Sequence, residues 1–160
     1  MRIVTQVGII FILLSITVCS AVVLGADGTL PTNFPVNVIP VPTGALITNI
    51  TDFNEDPSIR FAKTNTSSKD MIAFYHDTLK ETIVGLKESP SKDGEDYWFW
   101  GVFDNGNACF CLEIFFAKSK DPSDNAGGQV RVSLRKKGES DVNWKSRKEG
   151  LLKIATDAVR

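Results

Sequence analysis

The chain is 160 residues long, with 18 Lys and Arg against 19 Asp and Glu, a net charge of −1, and 42% hydrophobic residues. That length suits one ordinary domain, and the near-neutral balance gives no electrostatic reason to bind nucleic acid. Three cysteines are too few for a disulfide-stapled scaffold.

Residues 1–26 read as a leader. No charged residue occurs from Ile3 to Ala26, and Arg2 is the only charge before that run. GIIFILLSITV, residues 8–18, has the length of a signal-peptide h-region, and small residues follow it. Cleavage after Ala21, Gly25 or Ala26 fits this pattern. An uncharged run of this length can also span a bilayer as an uncleaved anchor with Arg2 on the cytoplasmic side. A third reading is lipidation at Cys19, where ITVC resembles a lipobox but carries Val18 in place of the usual small residue. The h-region fits a signal better than a span. All three readings put residues 27–160 outside the cytoplasm, touching a membrane only through residues 3–26 if these are retained. Without Arg2 the net charge of that part is −2.

Residues 27–43 carry Pro31, Pro35, Pro40 and Pro42 and read as an extended arm ending in a turn at Thr43-Gly44. A single domain is expected over 44–160. Its first two strands are ALITNITDF (45–53) and SIRFAKT (58–64), with Ile59 and Phe61 on one face and Arg60 on the other. Asn49-Ile50-Thr51 and Asn65-Thr66-Ser67 fit the glycosylation acceptor pattern. A helix follows over 67–84. Ser67 or Ser68 can cap it, and Met71, Ile72, Tyr75, Leu79 and Ile83 form one stripe ended by Gly85 and Pro90.

The hairpin DYWFWGVF-DNGN-ACFCLEIFFA (96–117) is the strongest signal, because Asn105 and Gly106 both tolerate positive φ. A turn there puts Phe103 opposite Ala108, Val102 opposite Cys109, Trp100 opposite Cys111, Phe99 opposite Leu112 and Trp98 opposite Glu113. Phe99, Phe103, Phe110, Leu112, Ile114 and Phe116 then share face one. Face two carries Trp98, Trp100, Val102, Cys109, Cys111, Glu113 and Phe115. After the polar loop 118–128, Val130, Val132 and Leu134 join face one, and Arg131, Ser133 and Arg135 join face two. A last helix is predicted over 143–159, with Trp144, Leu151, Leu152, Ile154 and Ala155 on its apolar stripe. The order β-β-α-β-β-β-α is α+β: an antiparallel sheet of about five strands with two packed helices.

P-V-P-T-G-A (40–45), the strand ending F-A-K-T (61–64) and the Ser-capped helix with A-F-Y-H-D-T-L (73–79) resemble a pattern in uncharacterised secreted and lipoprotein-type prokaryotic domains. The resemblance covers roughly residues 38–135. It implies an extracytoplasmic α+β module and transfers no catalytic residue.

Chemistry must then come from individual residues. Cys109 and Cys111 share a strand face and are the weak candidates for a soft metal, which wants further ligands. Their spacing along a strand, about 6.5 Å, does not suit a disulfide. His76 is the sole histidine and a candidate general base, with no nucleophile placed near it by any motif. Asp121, Asp124 and Asn125 lack the spacing of a calcium loop and read as a turn. Trp98 and Trp100 with Arg60, Arg131 and Arg135 suit a sugar, an anion or a protein partner. Set against that, the last helix is expected to cover face two, since large open apolar patches are rare on monomers. The expectation is therefore an exported, non-enzymatic domain without a cofactor, binding a ligand, an envelope component or a protein partner. The alternative is a small hydrolase or a thiol or metal protein using His76 or Cys109 and Cys111.

Overall fold

A computed structural model describes residues 30–42, 44–51, 56–62, 66–116 and 127–160. The leader, with Cys19, lies outside the described residues, as do Thr43, Asn65, Asp121, Asp124 and Asn125. The elements are β1 (Leu46–Thr51), β2 (Ser58–Ala62), α1 (Ser68–Thr82), β3 (Lys87–Pro90), β4 (Asp96–Phe103), β5 (Ala108–Phe115), β6 (Gly127–Leu134) and α2 (Asp141–Val159). The six strands form one antiparallel sheet in the order β1-β2-β6-β5-β4-β3. The fold is α+β, with one strand more than the sequence predicts. That strand is β3, four residues of KESP on the edge beyond β4. It is short and polar and ends in a proline, as edge strands often do, so it leaves no apolar alternation to read.

The β4–β5 hairpin has the expected register, from Phe103↔Ala108 to Trp98↔Glu113. Asn105 at φ 51° and Gly106 at φ 91° make the turn, closed by the Asn107 N–H donating to the Asp104 carbonyl at 2.9 Å. Both angles lie in the left-handed region, which Asn and Gly occupy at least cost.

Face one is covered by α1 and by residues 30–42. Ser67 caps α1, its hydroxyl accepting from the Asp70 N–H at 3.1 Å, and the helix buries Met71, Tyr75 and Leu79. Gly101 has no side chain where Ile83 lies; a Cβ there would sit 2.8 Å from the Ile83 Cγ2. Phe34, Ile39 and Val41 of the proline-rich stretch are buried in the same cluster as Phe61, Phe99, Phe110 and Leu112. The Tyr75 hydroxyl ties helix to stretch by donating to the Pro40 carbonyl at 2.9 Å. Burial raises the Tyr75 pKa, so this phenol stays a donor.

Face two is covered by α2, which packs on β4, β5 and β6. Ser140 caps it, accepting from the Asn143 N–H at 3.2 Å, so the helix starts at Asp141, two residues before the predicted start at 143. Its ends are pinned to the hairpin turn and to the β3–β4 connection. Trp144 Nε1 donates to the Gly106 carbonyl at 2.7 Å, and the Lys92 N–H donates to the Ala158 carbonyl at 3.0 Å. The result is three layers, with the sheet in the middle. Among the described residues, no helix is long and apolar enough to cross a membrane.

Candidate binding site beside helix α2

Strand pairing sets the side chains of face two in rows. One row runs Arg60, Gln129, Glu113, Trp98 across β2, β6, β5 and β4. The next runs Ser58, Arg131, Cys111, Trp100. Helix α2 covers the tryptophan end of both. Trp98 and Trp100 are 6% and 8% exposed and form one cluster with Cys111 and Ala155, flanked by Leu151, Leu152, Ala158 and Val159. The tryptophans are therefore roofed by the helix, while Arg131 lies on β6, where it lines a groove with α2, and Arg60 lies one strand further out on β2.

The three predicted arginines divide between two places. Arg60 stacks its guanidinium over the Phe115 ring at 4.9 Å. Arg131 Nη2 donates to Gln129 Oε1 at 3.3 Å. Arg135 is elsewhere: it donates to the Glu139 carbonyl at 3.1 Å and pairs with Asp141 at the start of α2. Glu113, which sequence reading placed on face two without a role, belongs to the Arg60–Arg131 corner. Its carboxyl is pushed up by burial and then by Asp96, and drawn down by Arg131 and Arg60. The available signal was a lone charge on an otherwise apolar strand.

Above Arg131 a groove of about 410 Å³ runs between the sheet and α2, with Ser58 and Ser133 on the sheet side and Leu151 and Ile154 on the helix side. It is also lined by Arg147, four of whose five N–H donors are engaged by protein. Nε donates to Glu139 Oε1 (3.0 Å), Nη1 to Asp56 Oδ1 (2.6 Å), and Nη2 to the Leu134 carbonyl (2.6 Å) and Glu139 Oε2 (2.9 Å). That network fixes the β6–α2 connection, and the hydrogen bond from Arg147 holds the Glu139 carboxyl down at about 2. Arg147 is a structural cation here, whereas Arg131 makes one hydrogen bond among the described residues.

The remaining candidates are less chemically equipped. Cys109 and Cys111 are buried free thiols, both pushed up to about 12 chiefly by that burial. At neutral pH such thiols carry almost no thiolate, the form that attacks or ligates. Among the described residues, no three His, Cys, Asp or Glu side chains gather as a metal site. His76 has a partner the sequence hid: its Nδ1 lies 2.6 Å from Glu88 Oε1 on β3. The pairing orients the imidazole. No serine or cysteine among the described residues is hydrogen-bonded to it.

Comparison with protein-family models, curated proteins and solved structures finds no match.

Proposed function

We propose that this chain is an exported, non-enzymatic binding module that takes an anionic ligand at the Arg60–Arg131 corner of face two. One observation carries the reading: Arg131 lines the groove beside α2 and makes one hydrogen bond among the described residues, to Gln129. Guanidinium forks bind carboxylate and phosphate oxygens in pairs, which suits an anion. Export is supported by the uncharged leader. The test is a titration of isotope-labelled chain with citrate, tripolyphosphate and a glutamate-containing peptide, read at the arginine side-chain signals. At least one anion should shift Arg60 and Arg131 saturably, and the double change Arg60→Gln, Arg131→Gln should abolish the response. Silence from every anion would sink the reading.

A second reading is favoured by the His76–Glu88 pair, the arrangement a general base uses to hold its imidazole. Hydrolysis of an activated ester that disappears in both His76→Ala and Glu88→Gln would move the function there.

A further inference from the structure

We propose that Asn105 is a site of spontaneous modification, in which the Gly106 nitrogen closes on the asparagine side chain, and that Trp144 governs its rate from α2. The reaction needs an asparagine whose following nitrogen is not crowded. Asn105 is exposed and precedes a glycine, where a Cβ would meet nothing within 4 Å. Asn37 is exposed too, but it precedes Val38, whose branched side chain crowds the attacking nitrogen.

The step consumes only water. The Gly106 nitrogen bonds to the carbonyl carbon of the Asn105 side chain, and its proton leaves with the side-chain amide as ammonia. Water then opens the cyclic imide. Opening at the side-chain carbonyl leaves aspartate. Opening at the main-chain carbonyl leaves isoaspartate, whose side-chain carbons have entered the main chain. Either product adds a negative charge at the hairpin tip.

The folded turn restrains ring closure. At ψ 30° the Gly106 nitrogen stands nearly opposite the Asn105 Cβ about the Cα–C bond, and closure needs the two eclipsed. The Gly106 carbonyl, which accepts from Trp144 Nε1 at 2.7 Å, does not keep its place through that rotation. Trp144 is 4% exposed, so giving up the bond leaves its N–H buried without an acceptor. Cyclisation therefore waits on local openings in which the tip and the first turn of α2 part, and each modified chain records one. Isoaspartate makes the parting permanent. The main chain is then one carbon longer just before Gly106, whose carbonyl no longer meets Trp144.

The experiment incubates the full chain at pH 8, folded and in urea, and maps aspartate and isoaspartate at Asn105 by peptide mass spectrometry. The folded parent should convert at least about tenfold more slowly than the chain in urea, and Asn37 should stay intact in both. Trp144→Phe, verified as folded by circular dichroism, should convert about fivefold faster than the parent. A second measurement needs no variant. In isoaspartyl chain purified from aged parent, the Trp144 indole N–H signal should move from its hydrogen-bonded position. No product at Asn105 even in urea would overturn the site. Equal rates in the folded and urea-unfolded parent would overturn the restraint by the turn. A folded Trp144→Phe chain converting at the parent's rate, or an unmoved Trp144 signal in the isoaspartyl chain, would overturn the part given to Trp144.

Discussion

Placing a carboxylate at position 155 tests the roof over the tryptophans directly. Ala155 is fully buried, in one cluster with Trp98, Trp100 and Cys111. In Ala155→Asp the new carboxylate loses its water, which costs several kcal/mol for an ion in a protein interior. One donor in that cluster is unused, since Trp98 Nε1 is buried without a hydrogen-bond partner among the described residues. A bond from it would return about 1.5–3 kcal/mol, as hydrogen bonds to charged groups do. Helix propensity takes away about another 0.5 kcal/mol. The net expectation is a loss of roughly 2–4 kcal/mol, a large share of an ordinary domain's margin. Urea denaturation followed by far-ultraviolet circular dichroism measures it. Val142→Asp is the control: it lies on the same helix, is 77% exposed, and should stay within about 0.5 kcal/mol of the parent. If Ala155→Asp also stayed within that margin, α2 would not pack on the tryptophans and the division of face two would be wrong.

Two further outcomes follow from the hairpin and the thiols. A Cβ at Gly106 meets nothing within 4 Å, yet φ there is +91°, so Gly106→Val isolates backbone strain and should cost about 1 kcal/mol or more by the same denaturation; an unchanged midpoint would refute the turn. Cys109 and Cys111 should ignore a thiol reagent such as dithionitrobenzoate at pH 8 until the protein unfolds. Because their pKa values are raised from 9.0 to about 12, the stability they contribute is complete below pH 9 and is lost as pH rises toward about 12. Rapid labelling of the folded chain at pH 8 would show that face two is not closed over them.

Much of the architecture was legible because it rests on short-range rules. Asn105-Gly106 determines a turn, the turn determines a register, and period-2 alternation sorts Phe99, Phe110 and Leu112 from Trp98, Trp100 and Cys111. What was not legible depends on partners distant in sequence. β3 has no apolar pattern of its own and exists because β4 pairs with it, so Glu88 could not be foreseen beside His76. The burial of Phe34, Ile39 and Val41 was masked by prolines, which speak to local backbone and not to what the chain lies against. The site was half readable. Arg60 and Arg131 follow from strand parity, but their separation from the tryptophans depends on where α2 crosses the sheet, and Glu113 acquires a role only once β6 lies beside β5 and β2 beside β6.

The division of face two into a roofed tryptophan side and a cationic side is tested most directly by iodide quenching. Trp144 is first changed to Phe, so that Trp98 and Trp100 alone emit, and circular dichroism verifies that the variant is folded. Their near-complete burial under α2 predicts weak quenching in the folded chain, rising to the level of free tryptophan only when urea unfolds it. Quenching as strong as that of free tryptophan in the folded variant would contradict the account and return Trp98 and Trp100 to the binding surface.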